Sequence, residues 1–314
     1  MTTQGGIWPG YRQLAVTGEL AQRVEDARAM LRACQLCPRR CGVNRLEGQR
    51  GYCGAGALPR IASHGPHRWE EPPISGTRGS GTIFFSHCTA RCLFCQNFPI
   101  SQMGTGNDWT IAQLAEAMLS LQRRGCHNIN LVTPTHYVAA IIEAVALACE
   151  QGLSIPLVYN TSGYESLETL ALLDGLVDIY LPDSKYADDG VAQDLSGYVG
   201  YVGANRQALQ EMARQVGLTL LLDDQGLARR GMVVRHLVLP GGLSQTAEVM
   251  AWLGAVLGPE VHVSLMAQYF AAHRAHDHPV LKRKLYHREY REALAAVEAA
   301  GLENGWRQEL DRSY

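Results

Sequence analysis

From about residue 81 onward the chain repeats one pattern. A short apolar run gives way to a polar or glycine-rich loop, then to a longer segment with apolar positions at helical spacing. Runs at 82–86, 129–133, 155–160, 177–182, 232–240 and 261–266 are short and bounded by turn residues, which predicts strands. The segments 111–124, 138–151, 166–173, 206–216 and 245–257 read as helices. Thr110 and Ser244 stand where N-caps belong, and Gly125, Gly152 and Gly217 where C-caps belong. A further apolar run at 218–222 reads as a hairpin partner of the strand beginning at Met232. Alternating strands and helices imply a parallel sheet with helices packed against it. Six units are fewer than the eight of a closed barrel. The expected class is therefore α/β, an open partial (β/α)6 barrel. A doubly wound sheet is the competitor, because periodicity alone does not decide closure.

The first 74 residues read differently. A polar amphipathic stretch at 18–33 predicts one helix, and CQLCPRRCGVNRLEGQRGYCGAG follows with little apolar periodicity. Such a segment builds little core by itself, and a bound metal would supply the missing stability. Residues 57–80 carry several Pro and Gly and read as a connecting arm. The expected organisation is a helical, cysteine-rich module with its arm over 1–74, then a barrel over 75–314. The latter ends in a helix near 287–300.

Composition adds bounds. The chain has 314 residues, 46% of them hydrophobic, enough for a large core. Its net charge of −2 gives no electrostatic case for nucleic acid or an anionic membrane. No apolar run reaches a membrane-spanning length. The opening residues, MTTQGGIWPGYRQL, lack a basic-then-apolar signal, so a cytoplasmic location is expected. Nine cysteines in a reducing compartment are poor candidates for disulfides. Seven of the nine lie between Cys34 and Cys95, which points to metal or cluster binding. Cys126 and Cys149 read as core thiols.

In either architecture the active site lies at the C-terminal ends of the parallel strands. Polar residues follow every predicted strand: Cys88 to Cys95, then Thr133 to Tyr137, Asn160 to Gly163, Asp183 to Lys185, Pro240 to Gly242, and Gln268 with Tyr269. The spacing of Cys88, Cys92 and Cys95 lets three thiolates hold three corners of a 4Fe–4S cube. One iron then stays open for a small molecule, whereas an electron-transfer cluster takes four cysteines. The competing assignment is a zinc site. Cys34, Cys37, Cys41 and Cys53 form a second set, for zinc or a second 4Fe–4S cluster.

The loop FFSHCTARCLFCQN after the first barrel strand resembles the radical S-adenosylmethionine (SAM) superfamily. GTRGSGTIFFSHCTARCLFCQN is similar to the activating enzymes of glycyl radical enzymes, especially the pyruvate formate-lyase activating enzyme group. CQLCPRRCGVNR, INLVTPTHY, YLPDSKYAD and SLMAQYF resemble an uncharacterised subgroup of it. The resemblance implies a 4Fe–4S cluster on Cys88, Cys92 and Cys95. It also implies reductive cleavage of SAM to methionine and a 5′-deoxyadenosyl radical that abstracts a hydrogen atom. Phe94 matches the aromatic position against the adenine. Asp183 and Lys185 match an Asp-x-Lys motif near the SAM carboxylate, with a structural ion pair as the alternative. Arg235 matches a strand arginine, and Asn160 and Ser162 match strand-end contacts.

Two departures stand out. The second strand lacks Gly-Gly-Glu and ends Thr133-Pro134-Thr135-His136, leaving backbone groups, a hydroxyl or His136 for the SAM amino group. The sixth strand presents Gln268 or Tyr269, with His273 nearby, where the activating enzymes carry a histidine. The implied partners are an electron donor such as flavodoxin or ferredoxin and a glycyl radical enzyme. The alternative is a radical SAM epimerase or isomerase acting on a small molecule such as a sugar.

Overall fold

The computed structural model describes residues 8–310. The first seven residues of the stretch inspected for a signal, and the last four of the chain, lie outside the described residues. Two helices come first, α1 (Gly10–Thr17) and α2 (Glu19–Ala29). The helix expected over 18–33 forms as α2 with a 3-10 turn at Met30–Ala33 behind it, and α1, which was not expected, precedes it; Gly18, at φ 80°, separates the two helices. That left-handed conformation is open to glycine and ends a helix.

The other elements follow in order: β1 (Arg60–His67), α3 (Pro72–Ser75), β2 (Ser80–Phe85), α4 (Phe98–Ser101), β3 (Asn107–Asp108), α5 (Ile111–Arg123), β4 (Ile129–Val132), α6 (Val138–Glu150), β5 (Leu157–Thr161) and α7 (Leu167–Leu173). Then come β6 (Ile179–Pro182), α8 (Asp189–Ser196), α9 (Tyr201–Val216), β7 (Leu221–Leu222), β8 (Ala228–Leu237), α10 (Thr246–Trp252), β9 (His262–Met266), α11 (His287–Ala299) and β10 (Gly305–Arg307). The arm expected over 57–80 thus contains a strand and a short helix.

All six expected strands form, and they lie as parallel neighbours in the order β2, β4, β5, β6, β8, β9. A doubly wound sheet reverses its strand order at a switch point; this order runs one way. Neither side closes. β10 extends the parallel run beyond β9, and β1 and β3 add antiparallel strands at the other side. The expected hairpin forms, with Leu221 opposite Arg230. The fold is mixed α/β with a large parallel sheet.

Strand side chains alternate between faces, and the core divides accordingly. Ile83, Leu131, Tyr159 and Tyr180 join residues of α1, α2, α5, α6, α7, α9, α10 and α11 in the main core. Val158, Ile179, Leu181 and Val233 pack on the opposite face with Ile74 of α3. Thr110 caps α5 as expected, its hydroxyl accepting the Gln113 N–H at 3.2 Å while its own N–H donates to Gln113 Oε1 at 2.8 Å. Ser244 does not cap α10; its hydroxyl accepts the Leu239 N–H at 3.1 Å, and the helix begins two residues later. No helix among the described residues is long and apolar enough to cross a membrane.

Asp178 ties the first helix to the sheet. Its carboxylate accepts N–H bonds from Gly10 at 3.1 Å and Leu157 at 2.9 Å. Burial pushes its carboxyl up to about 7, although those two bonds oppose the shift. The folded state then holds a proton that the unfolded chain releases near pH 4. Stability from this group is full below pH 4 and lost as pH rises to about 7, a change of at most ~4 kcal/mol. Asp178→Asn should flatten urea midpoints between pH 4 and 7. An unchanged slope in the variant would refute the assignment.

Candidate functional site

The loop after β2 carries Cys88, Cys92 and Cys95. Backbone bonds hold it from three sides: His87 N–H to Ile100 O at 3.0 Å, Arg91 N–H to Ser196 O at 2.8 Å and Leu93 N–H to Leu195 O at 2.8 Å. His87 has φ 71°, and its ring lies against Gly54 and Gly104. A Cβ at Gly104 would stand 2.7 Å from that ring, which leaves no room for a side chain, and one at Gly54 would stand 3.3 Å from it, a tight contact at a position whose φ of 79° already favours glycine. The turn folds back so that the three thiols feel one another's charge. Burial, reinforced by the neighbouring thiols, pushes Cys88 up to about 12. Burial likewise raises Cys92 to about 11, with Lys185 opposing. Cys88 and Cys92 thus resist ionising unless a metal cation replaces their protons. Cys95 Sγ lies 3.1 Å from Ser101 Oγ.

Opposite the loop, the Lys185 ammonium sits beside Cys92 and Cys88 and pairs with Asp183 at 2.5 Å. Asn160 and Ser162 are partly exposed at the end of β5. Tyr198 is buried and faces Cys92 and Cys88, with Ser162 beside its hydroxyl. One guanidinium nitrogen of Arg91, within the loop, is buried and has no hydrogen-bond partner among the described residues. Phe94 is buried and tilts against Tyr269, with ring centroids 6.1 Å apart. His273 stacks on Phe98 at 4.7 Å, which brings it to the same loop.

Two expected contact residues are engaged elsewhere. His136 is buried behind the loop, its Nε2 2.8 Å from the Ser86 carbonyl, and burial lowers its pKa to about 3. Arg235 lies within the sheet's second face, donating to Glu71 at 2.9 Å and pairing with Glu70 and Glu71 together. Burial alone would raise Glu71, but this guanidinium holds its carboxyl below the usual range. Glu70 also accepts from Asn130 at 3.1 Å. These two glutamates were not singled out in the sequence, where they sit in a Pro-rich stretch without periodicity. Cys126 is buried in the main core and Cys149 packs partly against it, as core thiols do.

The four N-terminal cysteines are also brought together. Cys37 feels Cys53 and Cys34, and Cys41 feels Cys34 and Cys53. Burial pushes Cys37 up to about 12. Among the described residues, no three Cys, His, Asp or Glu donors converge on a single-ion site. The module sits on the strand-end loops. Arg39 donates to Thr89 O at 2.9 Å and lies 3.5 Å over the Tyr52 ring. Arg91 donates to Tyr52 O at 2.8 Å. Ser166 and Thr169 hydroxyls donate to the Gln35 and Leu36 carbonyls, each at 2.9 Å. Arg45 is buried and donates to His136 O at 2.6 Å and Gly56 O at 3.1 Å.

Gly51 lies against the module's outer thiol, where a Cβ would stand 2.5 Å from Cys41 Sγ. Gly51→Ala should displace Cys41 and lower the metal bound by the module. Gly56→Ala, whose Cβ meets nothing nearer than 3.9 Å, should leave it unchanged. Elemental analysis of both variants checks this, and equal metal contents would contradict it.

A trough of about 910 Å³ opens beside the loop, lined by Trp69, Gln268, Phe270, Tyr286 and Gln308 among others. Gln96, next to Cys95, donates to the Gln268 carbonyl at 3.0 Å, which links trough and loop.

No family model matches the chain. It is 29% identical over 290 residues to the uncharacterized protein MJ0674 of Methanocaldococcus jannaschii, spanning 90% of this chain and 79% of that protein. A second uncharacterized protein of that organism, MJ0808, is 26% identical over 159 residues, 45% of this chain and 46% of its own. Among solved structures, the FeFe-hydrogenase maturase HydG aligns with TM-score 0.45 and 11% identity over 68% of this chain and 47% of its own. HydG from Carboxydothermus hydrogenoformans aligns with TM-score 0.46 and 11% identity over 71% and 52%. The chain thus spans about half the length of these two structures.

Proposed function

We propose that this chain is a radical SAM enzyme built on a partial barrel, acting as an activase that takes a hydrogen atom from a partner glycyl radical enzyme. The observation that carries the reading is the gathering of Cys88, Cys92 and Cys95 at the C-terminal end of β2, facing Lys185 and Asp183. The donor set suits a 4Fe–4S cluster with one open iron. Three soft sulfur donors are present, the loop provides no fourth cysteine, and a buried Arg91 guanidinium nitrogen in the same loop has no partner among the described residues. When bound, the cluster and SAM supply one-electron cleavage to methionine and a 5′-deoxyadenosyl radical.

The protein's part is holding and shielding. Cys88, Cys92 and Cys95 would hold the cluster, and Asp183, Lys185, Asn160 and Ser162 would orient the amino-acid and ribose parts of SAM. Phe94 and Tyr269, with Tyr164, Tyr198 and Tyr201, form a buried aromatic wall that excludes water from that corner. An open trough beside the loop, rather than a sealed cavity, supports a protein segment as substrate. The four N-terminal thiols would hold a second cluster. Three of them crowd at 34, 37 and 41 and a fourth follows at 53, unlike the two separated pairs common in four-cysteine zinc sites. The reading also requires a reducing compartment, the cytoplasm.

Anaerobic reconstitution with iron and sulfide, then dithionite and SAM, should yield 5′-deoxyadenosine and methionine in equal amounts. Absence of both products from protein with a full iron content would refute the reading.

A further inference from the structure

The arm between β1 and α3 lies on the second face of the sheet. Ile74 packs there with Val158, Ile179 and Val233, and its carbonyl accepts from Asn128 Nδ2 at 2.8 Å. On the same face Glu71 and Arg235 form a complete pair. Arg235 Nε reaches one carboxylate oxygen at 2.9 Å, and a terminal nitrogen reaches the other. Such a two-pronged contact satisfies the guanidinium's charge by itself. Glu70 is then a second carboxylate on the same cation. One of its oxygens meets that same terminal nitrogen, and the other accepts from Asn130 Nδ2 at 3.1 Å.

The charges continue toward the active loop. Asp183, just past β6, bridges to Arg235 and pairs with Lys185, which sits beside Cys92 and Cys88. Along this row two cations, Arg235 and Lys185, face three carboxylates, Glu70, Glu71 and Asp183. One negative charge is left over among mostly buried groups, a costly arrangement away from water. Asn130 adds an unused acceptor. It is fully buried, its Nδ2 is taken by Glu70, and its Oδ1 has no partner among the described residues. A group that brings both positive charge and N–H donors answers both needs. An ammonium suits them better than a guanidinium. Each Glu70 oxygen already accepts one bond, and a compact cation with three donors reaches scattered single lone pairs where a planar fork cannot. The approach is aromatic: Trp69, next along the arm and 89% exposed, lines the trough with Phe270 and Tyr286. Aromatic faces attract cations and pack against an alkyl stem.

We infer that Glu70, with Asn130 beside it and Trp69 at the approach, recognises a primary ammonium that the substrate carries on an alkyl stem. Glu71 satisfies Arg235, so Glu70 is the carboxylate free to take the ligand's charge. The inference deepens the proposed function by naming a charged group of the substrate. It rests on that reading only for the group's source, a lysine side chain of the partner segment.

The test is calorimetry on the full, reconstituted chain with acetyl-Gly-Lys-Gly-amide and the same peptide carrying norleucine, which keeps the stem and drops the charge. The native chain should bind the lysine peptide about ten-fold more tightly. Glu70→Gln should remove that preference, and its fold should survive because Glu71 keeps its two bonds to Arg235. Glu292→Gln, the same neutralisation on an exposed side chain of α11, should keep the preference. Equal affinity of the native chain for both peptides, or no binding of either, overturns the inference whether or not the variant folds. So does a preference retained by folded Glu70→Gln, or a tighter hold on the arginine peptide than on the lysine one. Displacement of the lysine peptide by SAM overturns it too, because SAM's own ammonium would then be the group recognised. Pentylamine bound as tightly as the lysine peptide would refute the activase reading and leave the ammonium site standing. Absence of 5′-deoxyadenosine with dithionite would refute the enzymatic reading instead, and the peptide contrast would still stand or fall by itself.

Discussion

Cys92→Ala is expected to abolish SAM cleavage, lowering 5′-deoxyadenosine formation by more than about three orders of magnitude, or about 4 kcal/mol in barrier. The loop holds only three thiols, so losing one leaves two for a cube that needs three. Among the described residues beside the loop, Ser101 and Ser196 offer hydroxyls and Lys185 a cation, and none of them replaces a thiolate. The fold should survive, because Cys92 is partly exposed and the loop keeps its bonds to Leu195 and Ser196. The variant should therefore match the native chain in circular dichroism while losing the iron of one cluster. Retained cleavage would end the radical reading. Iron lost from both sites would mean that the two cysteine sets are not independent.

Arg45→Ala should cost about 3 kcal/mol of stability. Its guanidinium is buried and joins the module to the body, bridging Gly56 O and His136 O and approaching Cys34 Sγ at 3.9 Å. Removing it strands buried carbonyl acceptors and opens a void. Arg45→Lys should rescue little, since one ammonium cannot reproduce a planar fork reaching acceptors in different directions. Chemical denaturation measures the loss, and elemental analysis should show the module's metal falling with it. A variant of native stability would mean that the contacts of Arg39, Tyr52, Gln35 and Leu36 are enough to dock the module.

The six parallel strands were legible because each is a short apolar run between turn residues, the trace left by a strand buried on both faces. The three-cysteine loop was legible for a related reason: its spacing is local, so chemistry and sequence coincide. β1, α3 and β10 were not legible. β1 reads RIASHGPH, with one strongly apolar residue, and forms because β2 and β3 offer it partners on both sides. α3 is four residues long, too short for any helical period.

What the sequence determined by itself was local: the strand and helix periods, the cap at Thr110, and the two sets of thiols. The tertiary structure decided how distant segments meet. It turned Arg235 away to Glu70 and Glu71, more than 160 positions earlier. It buried His136 behind the loop it was expected to serve. It also seated the four-cysteine module on the strand ends through Arg39, Arg45 and Tyr52. Such contacts depend on which charges can be desolvated together and which carbonyls lack a partner. Those conditions arise only once the chain has closed, and no spacing along it records them.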